Sequence, residues 1–152
     1  MSLVNLNKHV IQAGTLAHKY EMTMREIVDE ALSDTYGVDW AETRLILCDC
    51  KDLLGKWRSR GGAPLDHADF AHYSKIMCHE EHFTEVFAIG FDDLNVLKTL
   101  LATARKHRGA AVHGRDFSQE DLRDLRLTFR QLEIGLAALY FPDDEDNVED
   151  ED

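Results

Sequence analysis

Residues 117–126 read Phe117-Ser-Gln-Glu-Asp-Leu-Arg-Asp-Leu-Arg126 and mark the start of the clearest helix in this chain. Ser118 is a favoured N-cap residue, and Asp121 stands three positions later, as in a capping box. Phe117 before the cap can pack against Leu122 as a hydrophobic staple. Apolar residues then recur at alternating spacings of three and four: Leu122, Leu125, Phe129, Leu132, Leu136 and Leu139. This spacing predicts a helix with one apolar seam, suited to packing within the fold or across a dimer.

Helical periodicity continues towards the N-terminus. Apolar residues at threes and fours predict a long first helix over about 8–34 and a second helix over 40–57. The segment 66–91 suggests two short helices, and a stronger helix follows from Asp92 or Asp93 to about Arg108. No convincing alternating pattern indicates a strand. The sequence therefore predicts an all-α bundle.

Length and composition indicate one soluble domain. The chain has 152 residues, of which 44% are hydrophobic and 30% charged, and we expect a single helical domain over 1–142. No apolar stretch approaches the ~18 residues of a membrane span, so we expect no membrane partner. Residues 1–8 lack the features of a signal peptide, which favours a cytoplasmic protein. Three cysteines are too few for a disulfide framework, so reduced thiols are expected.

The charge is unevenly distributed. The net charge is −12, but residues 143–152 hold eight acids and no base, which leaves −4 for the rest. Residues 98–115 contain no acid and five cations: Lys98, Arg105, Lys106, Arg108 and Arg115. Such a strip can attract phosphate, because electrostatics acts locally over a Debye length of ~8 Å. A structural alternative is that these cations lie near a helix C-terminus, where the helix macrodipole favours positive charge.

Arg108 and His113 lie five positions apart between the last two predicted helices. A guanidinium and an imidazole suffice to break an RNA phosphodiester without a metal. The imidazole can move the 2′-OH proton, and the guanidinium can stabilise charge on the phosphorus oxygens. A structural alternative is that Arg108 bonds helix-end carbonyls and His113 caps the turn.

A helical domain whose last two helices are joined by Arg-x4-His-Gly resembles the HEPN superfamily. The resembling stretches are Phe83-Thr-Glu-Val-Phe-Ala-Ile-Gly-Phe91, Ala104-Arg-Lys-His-Arg-Gly-Ala-Ala-Val-His-Gly-Arg115 and the capped start of the last helix. They are most similar to a branch that is shared by a eukaryotic nuclear RNA-surveillance endonuclease and bacterial defence proteins. The resemblance is closest over residues 72–136. Before residue 72 it is weaker and lies mainly in the pattern of predicted helices.

The resemblance implies a metal-independent endoribonuclease without a cofactor, acting in a bacterial defence or toxin-like system. Its active site would form at a homodimer interface from Arg108 and His113 of both protomers, with Arg105, Lys106 and Arg115 binding flanking RNA phosphates. A regulatory or defence-system protein partner is also implied. The alternative is a non-catalytic HEPN module that dimerises and binds RNA, a nucleotide or a partner.

Two positions depart from the family pattern. Gly109 follows the arginine, where the family usually carries a polar residue, most often Asn. Arg115 stands where a regulated subtype has a tyrosine that is a target for nucleotidylation, so that mode of control is not expected.

Other constellations are weaker. Cys48 and Cys50 could join Cys78-His79-x-x-His82 in a zinc site, but two residues two apart on one helix point about 200° away from each other. We therefore expect no metal. His107 would at most contact a phosphate, and Trp40 and Trp57, which could stack bases, fit apolar stripes better. No glycine loop of the P-loop or dinucleotide type is present, so ATP- or NAD-dependent chemistry is not indicated.

The acidic segment 143–152 has two interpretations. The first is a solvated, disordered tail. The second is an intramolecular polyanion that competes with RNA for the basic strip, in which case its deletion would tighten RNA binding at low salt.

Overall fold

The computed structural model describes residues 3–112 and 117–140, with side chains for 8–110 and 117–139. Within these ranges the chain is helical and contains no strand, which confirms the all-α prediction. The elements are α1 (Leu3–Tyr36), α2 (Trp40–Leu47), α3 (Lys51–Arg60), α4 (Phe70–Met77), α5 (Glu80–His82), a one-turn π-helix (Phe83–Phe87), α6 (Leu94–Val112) and α7 (Gln119–Tyr140). No described helix is both long enough and apolar enough to cross a membrane.

The longest three helices, α1, α6 and α7, form the centre of the bundle. The rings of Tyr20 on α1 and Phe129 on α7 stack with centroids 4.8 Å apart. His9 lines a groove with Gln119 at the start of α7, whereas Ile27 lies beside Leu139 near its end. Thus α1 and α7 run in the same direction, and the two begin at the end of the bundle where α6 finishes.

The start of α7 confirms the predicted cap. The Ser118 amide donates to Asp121 Oδ2 at 3.0 Å, and the Asp121 amide donates to Ser118 Oγ at 3.1 Å. Most of the apolar seam is buried within this one chain, namely Leu122, Leu125, Phe129, Leu132 and Leu136. The seam therefore packs inside the fold, which decides between the two interpretations that the spacing left open.

The predicted second helix is wrong in one respect. It is broken between Leu47 and Lys51, where Asp49 adopts a positive φ of 63°. Asp tolerates this left-handed conformation better than most residues, and the Lys75 ammonium donates to the Asp49 carbonyl at 3.2 Å. Because of this break, α2 and α3 pack against each other instead of continuing as one rod.

Two helices are longer than the sequence predicted. The first helix runs from Leu3 to Tyr36, and α6 continues to Val112. The extension of α6 matters for function, because Arg108 then lies within the helix, one turn before its end. Residues 109–111, Gly-Ala-Ala, permit this continuation, since alanine has the highest helix propensity.

Candidate functional site around Arg108

Arg108 is held by a carboxylate from the far end of the sequence. Its Nε donates to Glu21 Oε1 on α1 at 2.9 Å, across 87 positions. The arginine side chain keeps 34% of its surface exposed. Among the described residues, neither terminal guanidinium nitrogen forms a hydrogen bond to the protein. The planar fork is thus anchored on one edge and free on the other.

Arg108 borders a surface groove of about 350 Å³, and Glu21, Asp69, Phe70, Arg105 and Gly109 are among the other lining residues. Asp69 is the N-cap of α4. Its carboxylate accepts from the His72 amide, and its own amide donates to His72 Nδ1, each at 3.1 Å. The groove is therefore of mixed charge, with two guanidinium groups facing two carboxylates.

Arg105 and Lys106 are exposed on α6 one turn before Arg108. The two residues line a second groove of about 440 Å³ on the adjoining side of α6. Arg105 and Gly109 line both this groove and the groove beside Arg108. Within the residues that the structure describes, neither Arg105 nor Lys106 has a carboxylate within 4.0 Å. Arg105 and Lys106 are therefore accessible cations beside Gly109.

His113 and Arg115 lie outside the described residues, as does the acidic segment 143–152. The pairing of Arg108 with His113 and the phosphate contact of Arg115 thus remain predictions, and so does competition by the tail.

Gly109 is helical and leaves open space above it. A Cβ built there would meet no atom within 4 Å. Neither a left-handed backbone nor a close neighbour requires glycine at this position, so the fold can accept a side chain such as the Asn of the family pattern.

His107 requires a correction. Its ring is buried, and Nε2 donates to Asp124 Oδ2 on α7 at 2.6 Å. The ring also meets Phe117 edge-on, with centroids 6.1 Å apart. Since one residue along a helix turns the side chain by about 100°, His107 faces α7 while Arg108 faces α1. It joins two helices and does not contact phosphate.

Cys48 and Cys50 do not lie on one continuous helix, because α2 ends at Leu47 and α3 begins at Lys51. The helical geometry that was expected to point the two thiols away from each other is therefore absent. Both thiols are buried, and Cys50 Sγ lies 3.7 Å from the Cys48 carbonyl oxygen. Hydrogen bonding to Cys50 is the main cause that lowers the Cys48 thiol pKa. In the described part of the chain, no three His, Cys, Asp or Glu residues converge as metal ligands.

His79 and His82 form a ring pair with centroids 4.5 Å apart. His82 is fully buried, and its Nδ1 donates to the Ile76 carbonyl at 2.8 Å. Burial lowers the pKa of His82, and the nearby His79 and Arg44 add to this effect. His82 is thus packed in the core with a lowered pKa, against the ring of the half-buried His79.

The tryptophans are engaged in the fold. Trp40 is buried and donates from Nε1 to Asp29 Oδ1 at 2.8 Å. Trp57 is half-buried and donates to the Gly62 carbonyl at 2.9 Å. Both indole N–H groups are thus bonded within the fold, and the buried Trp40 is closed to base stacking.

Glu21 is the site residue that sequence reasoning missed. It lies on the first helix among ordinary surface acids, and no local pattern connects it with Arg108. No protein-family model, curated protein or solved structure matches this chain.

Proposed function

We propose that this protein is a metal-independent endoribonuclease of the HEPN type that acts as a homodimer in the cytoplasm, in a bacterial defence or toxin-like system. The observation that carries the proposal is the state of Arg108. A guanidinium that is anchored through Nε on Glu21, lies beside a groove and has no described protein partner on its terminal nitrogens can receive a phosphate bidentately. Arg105 and Lys106 add two accessible cations one turn away.

The proposed reaction is attack of an RNA 2′-OH on the adjacent phosphorus. A base accepts the 2′-OH proton, the bond to the 5′-oxygen breaks, and an acid returns a proton to that leaving oxygen. The products are a 2′,3′-cyclic phosphate and a 5′-OH. We assign proton transfer to His113 and stabilisation of the equatorial phosphate oxygens to Arg108.

A dimer fits this chemistry because each protomer would contribute one imidazole, His113, and one guanidinium, Arg108. One His–Arg pair supplies half of the acid, base and cations that the reaction needs, and two pairs supply the whole set. The seam of α7 is used within the protomer, so we propose that the dimer forms at the α6 end of the bundle, around the Arg108 groove.

The experiment is cleavage of labelled single-stranded RNA by the purified protein in EDTA. We expect cutting by the wild type, 2′,3′-cyclic phosphate ends on the products, and loss of cutting in both Arg108→Ala and His113→Ala. Arg60→Ala is the matched control, because Arg60 is an exposed arginine on α3 and its loss changes the net charge equally. Undiminished cleavage by His113→Ala would refute the assignment.

A second candidate is a non-catalytic HEPN module that binds RNA or a protein partner. The open position at Gly109 favours it, because the polar group that usually follows the arginine is missing. Such a module would bind RNA with the Arg108 cations but leave it intact in every variant.

A further inference from the structure

A third groove lies away from Arg108. It is bordered on one side by Lys8, His9 and Gln12 of α1 and on the other by the start of α7. Its volume is about 330 Å³, and its lining is almost entirely polar or basic: Lys8, His9, Gln12, Gln119, Leu122, Arg123 and Arg126. No acid lines it. In a chain with 29 acids and 17 lysines and arginines, a groove with three cations and no carboxylate is unexpected by chance.

The three cations are also unpaired among the residues that the structure describes. Lys8, Arg123 and Arg126 are exposed, and no described carboxylate lies within 4.0 Å of their nitrogens. The His9 Nδ1 atom in the same groove is buried without a hydrogen-bond partner. Lys8, Arg123 and Arg126 therefore offer donors that no described carboxylate engages.

Of the acids in the first turns of α7, Asp121 and Asp124 are turned away and occupied, and the exposed Glu120 does not line the groove. Asp121 accepts from the Ser118 amide as part of the helix cap, and Asp124 accepts from His107 on α6. At about 100° per residue, Asp121 and Asp124 both lie on the side of α7 that is opposite to Arg123 and Arg126. The positive field over the groove is therefore not cancelled by these carboxylates.

The groove occupies the other side of α1 from the Arg108 site. Gln12 and Glu21 are nine residues apart, which is about two and a half helical turns, so they face opposite ways at positions roughly 14 Å apart along the axis. The two basic regions both lie towards the end where α6 finishes and α7 begins. A strand bound at one region can reach the other only by passing around this end.

We propose that the groove formed by Lys8, Arg123 and Arg126 binds the phosphate backbone of single-stranded RNA at a distance from the cleavage point. The RNA identity of the ligand rests on the proposed function. The groove contacts phosphates and reads no sequence, since its lining offers charged and amide groups and no Phe, Tyr or Trp ring, and its one imidazole, that of His9, is partly buried.

The test measures binding of a labelled 2′-O-methyl RNA, which cannot be cleaved, across a series of salt concentrations. The Arg123→Gln/Arg126→Gln double variant removes two cations, keeps the CH₂ groups at Cβ and Cγ, and has a similar helix propensity. Lys56→Gln/Arg60→Gln on α3 is the matched control with the same change in net charge. Circular dichroism of each variant establishes that the helices are retained.

We expect the slope of log K against log salt to fall by about 1.4 in the groove variant, because each phosphate contact on a single strand contributes about 0.7. The loss of affinity should be the same for two unrelated RNA sequences. A slope equal to that of the control, or a loss confined to one sequence, would overturn the proposal.

Cleavage is assayed separately with unmodified RNA. Binding with the expected slope change but no cutting in any variant would refute the proposed nuclease and leave the groove assignment intact. Cutting that depends on Arg108 and His113, with binding indifferent to Arg123 and Arg126, would refute the groove alone.

Discussion

Arg108 on α6 and Glu21 on α1 are joined by a hydrogen-bonded ion pair in which the guanidinium donates from Nε at 2.9 Å. The pair is partly exposed, so it contributes no more than about 1 kcal/mol to the free energy of unfolding. Its importance is geometric, because an arginine bound through Nε presents its two terminal nitrogens outward.

Arg108→Lys should lose RNA cleavage almost as completely as Arg108→Ala. A lysine keeps the positive charge but has neither the Nε donor for Glu21 nor the two-pronged fork for a phosphate. Single-turnover cleavage of one defined RNA measures the effect, and urea unfolding of both variants should stay within about 1 kcal/mol of the wild type. Near wild-type cleavage by Arg108→Lys would mean that charge alone is sufficient at this position.

Gly109→Asn should raise the cleavage rate by up to about tenfold if the added amide forms one further hydrogen bond to the substrate or the catalytic pair in the transition state. The space above Gly109 accepts the side chain without displacing a neighbour. Gly109→Ala is the control. It should stabilise the protein by about 0.5–1 kcal/mol through helix propensity but leave the rate unchanged. Equal rates in the two variants would contradict a role for a polar group here.

His107→Ala should lower the free energy of unfolding by about 2 kcal/mol. The substitution removes a buried hydrogen bond to a carboxylate and the packing of the ring against Phe117. Chemical denaturation measures the loss. RNA affinity of the folded variant at low temperature should equal that of the wild type, and a specific decrease would show that His107 contributes to RNA binding.

The stability of the fold should fall as the pH drops below about 6.5, in part because of His82. Its pKa is lowered in the folded state, first by burial and then by His79 and Arg44, while Glu81 and the Ile76 carbonyl oppose the shift. The unfolded chain therefore binds a proton at a pH where the folded chain does not. The contribution of His82 to the free energy of unfolding is complete above its unfolded pKa and is lost as the pH falls from the unfolded pKa towards the lower folded pKa.

Urea unfolding between pH 7.5 and 5.5 checks this dependence. The binding of one such proton by the unfolded chain can change the free energy of unfolding by at most about 1.4 kcal/mol per pH unit. His82→Gln should flatten the dependence, whereas His18→Gln, which removes an exposed imidazole from α1, should preserve it. Identical slopes in the two variants would exclude His82 as the responsible group.

Gly90→Ala should destabilise the fold by about 3 kcal/mol or prevent folding. A Cβ at Gly90 would overlap the backbone carbonyl of Gly135 on α7, and neither backbone can move independently of its neighbours. Gly55→Ala is the control, because the space above that helical glycine is open. Thermal unfolding of the two variants compares them, and a stable Gly90→Ala would show that α7 can shift.

The helical class and the start of α7 could be predicted because their causes are local. The Ser118–Asp121 cap is made by residues three positions apart, and the seam from Leu122 to Leu136 follows from helical periodicity alone. The break after α2 could not be predicted, since Asp49 is held in its left-handed conformation with help from Lys75, which is 26 positions away.

The amino-acid sequence by itself determined an all-α chain, a basic strip on the penultimate helix and an Arg-x4-His pattern beside it. Only the tertiary structure decided what each cation faces. Rotation of about 100° per residue directs His107 into the core and Arg108 towards Glu21, and the parallel packing of α1 with α7 assembles Lys8, Arg123 and Arg126 into one groove. Glu21 and Arg108 are 87 positions apart, and side-chain electrostatics depends on distances in space that no local pattern encodes.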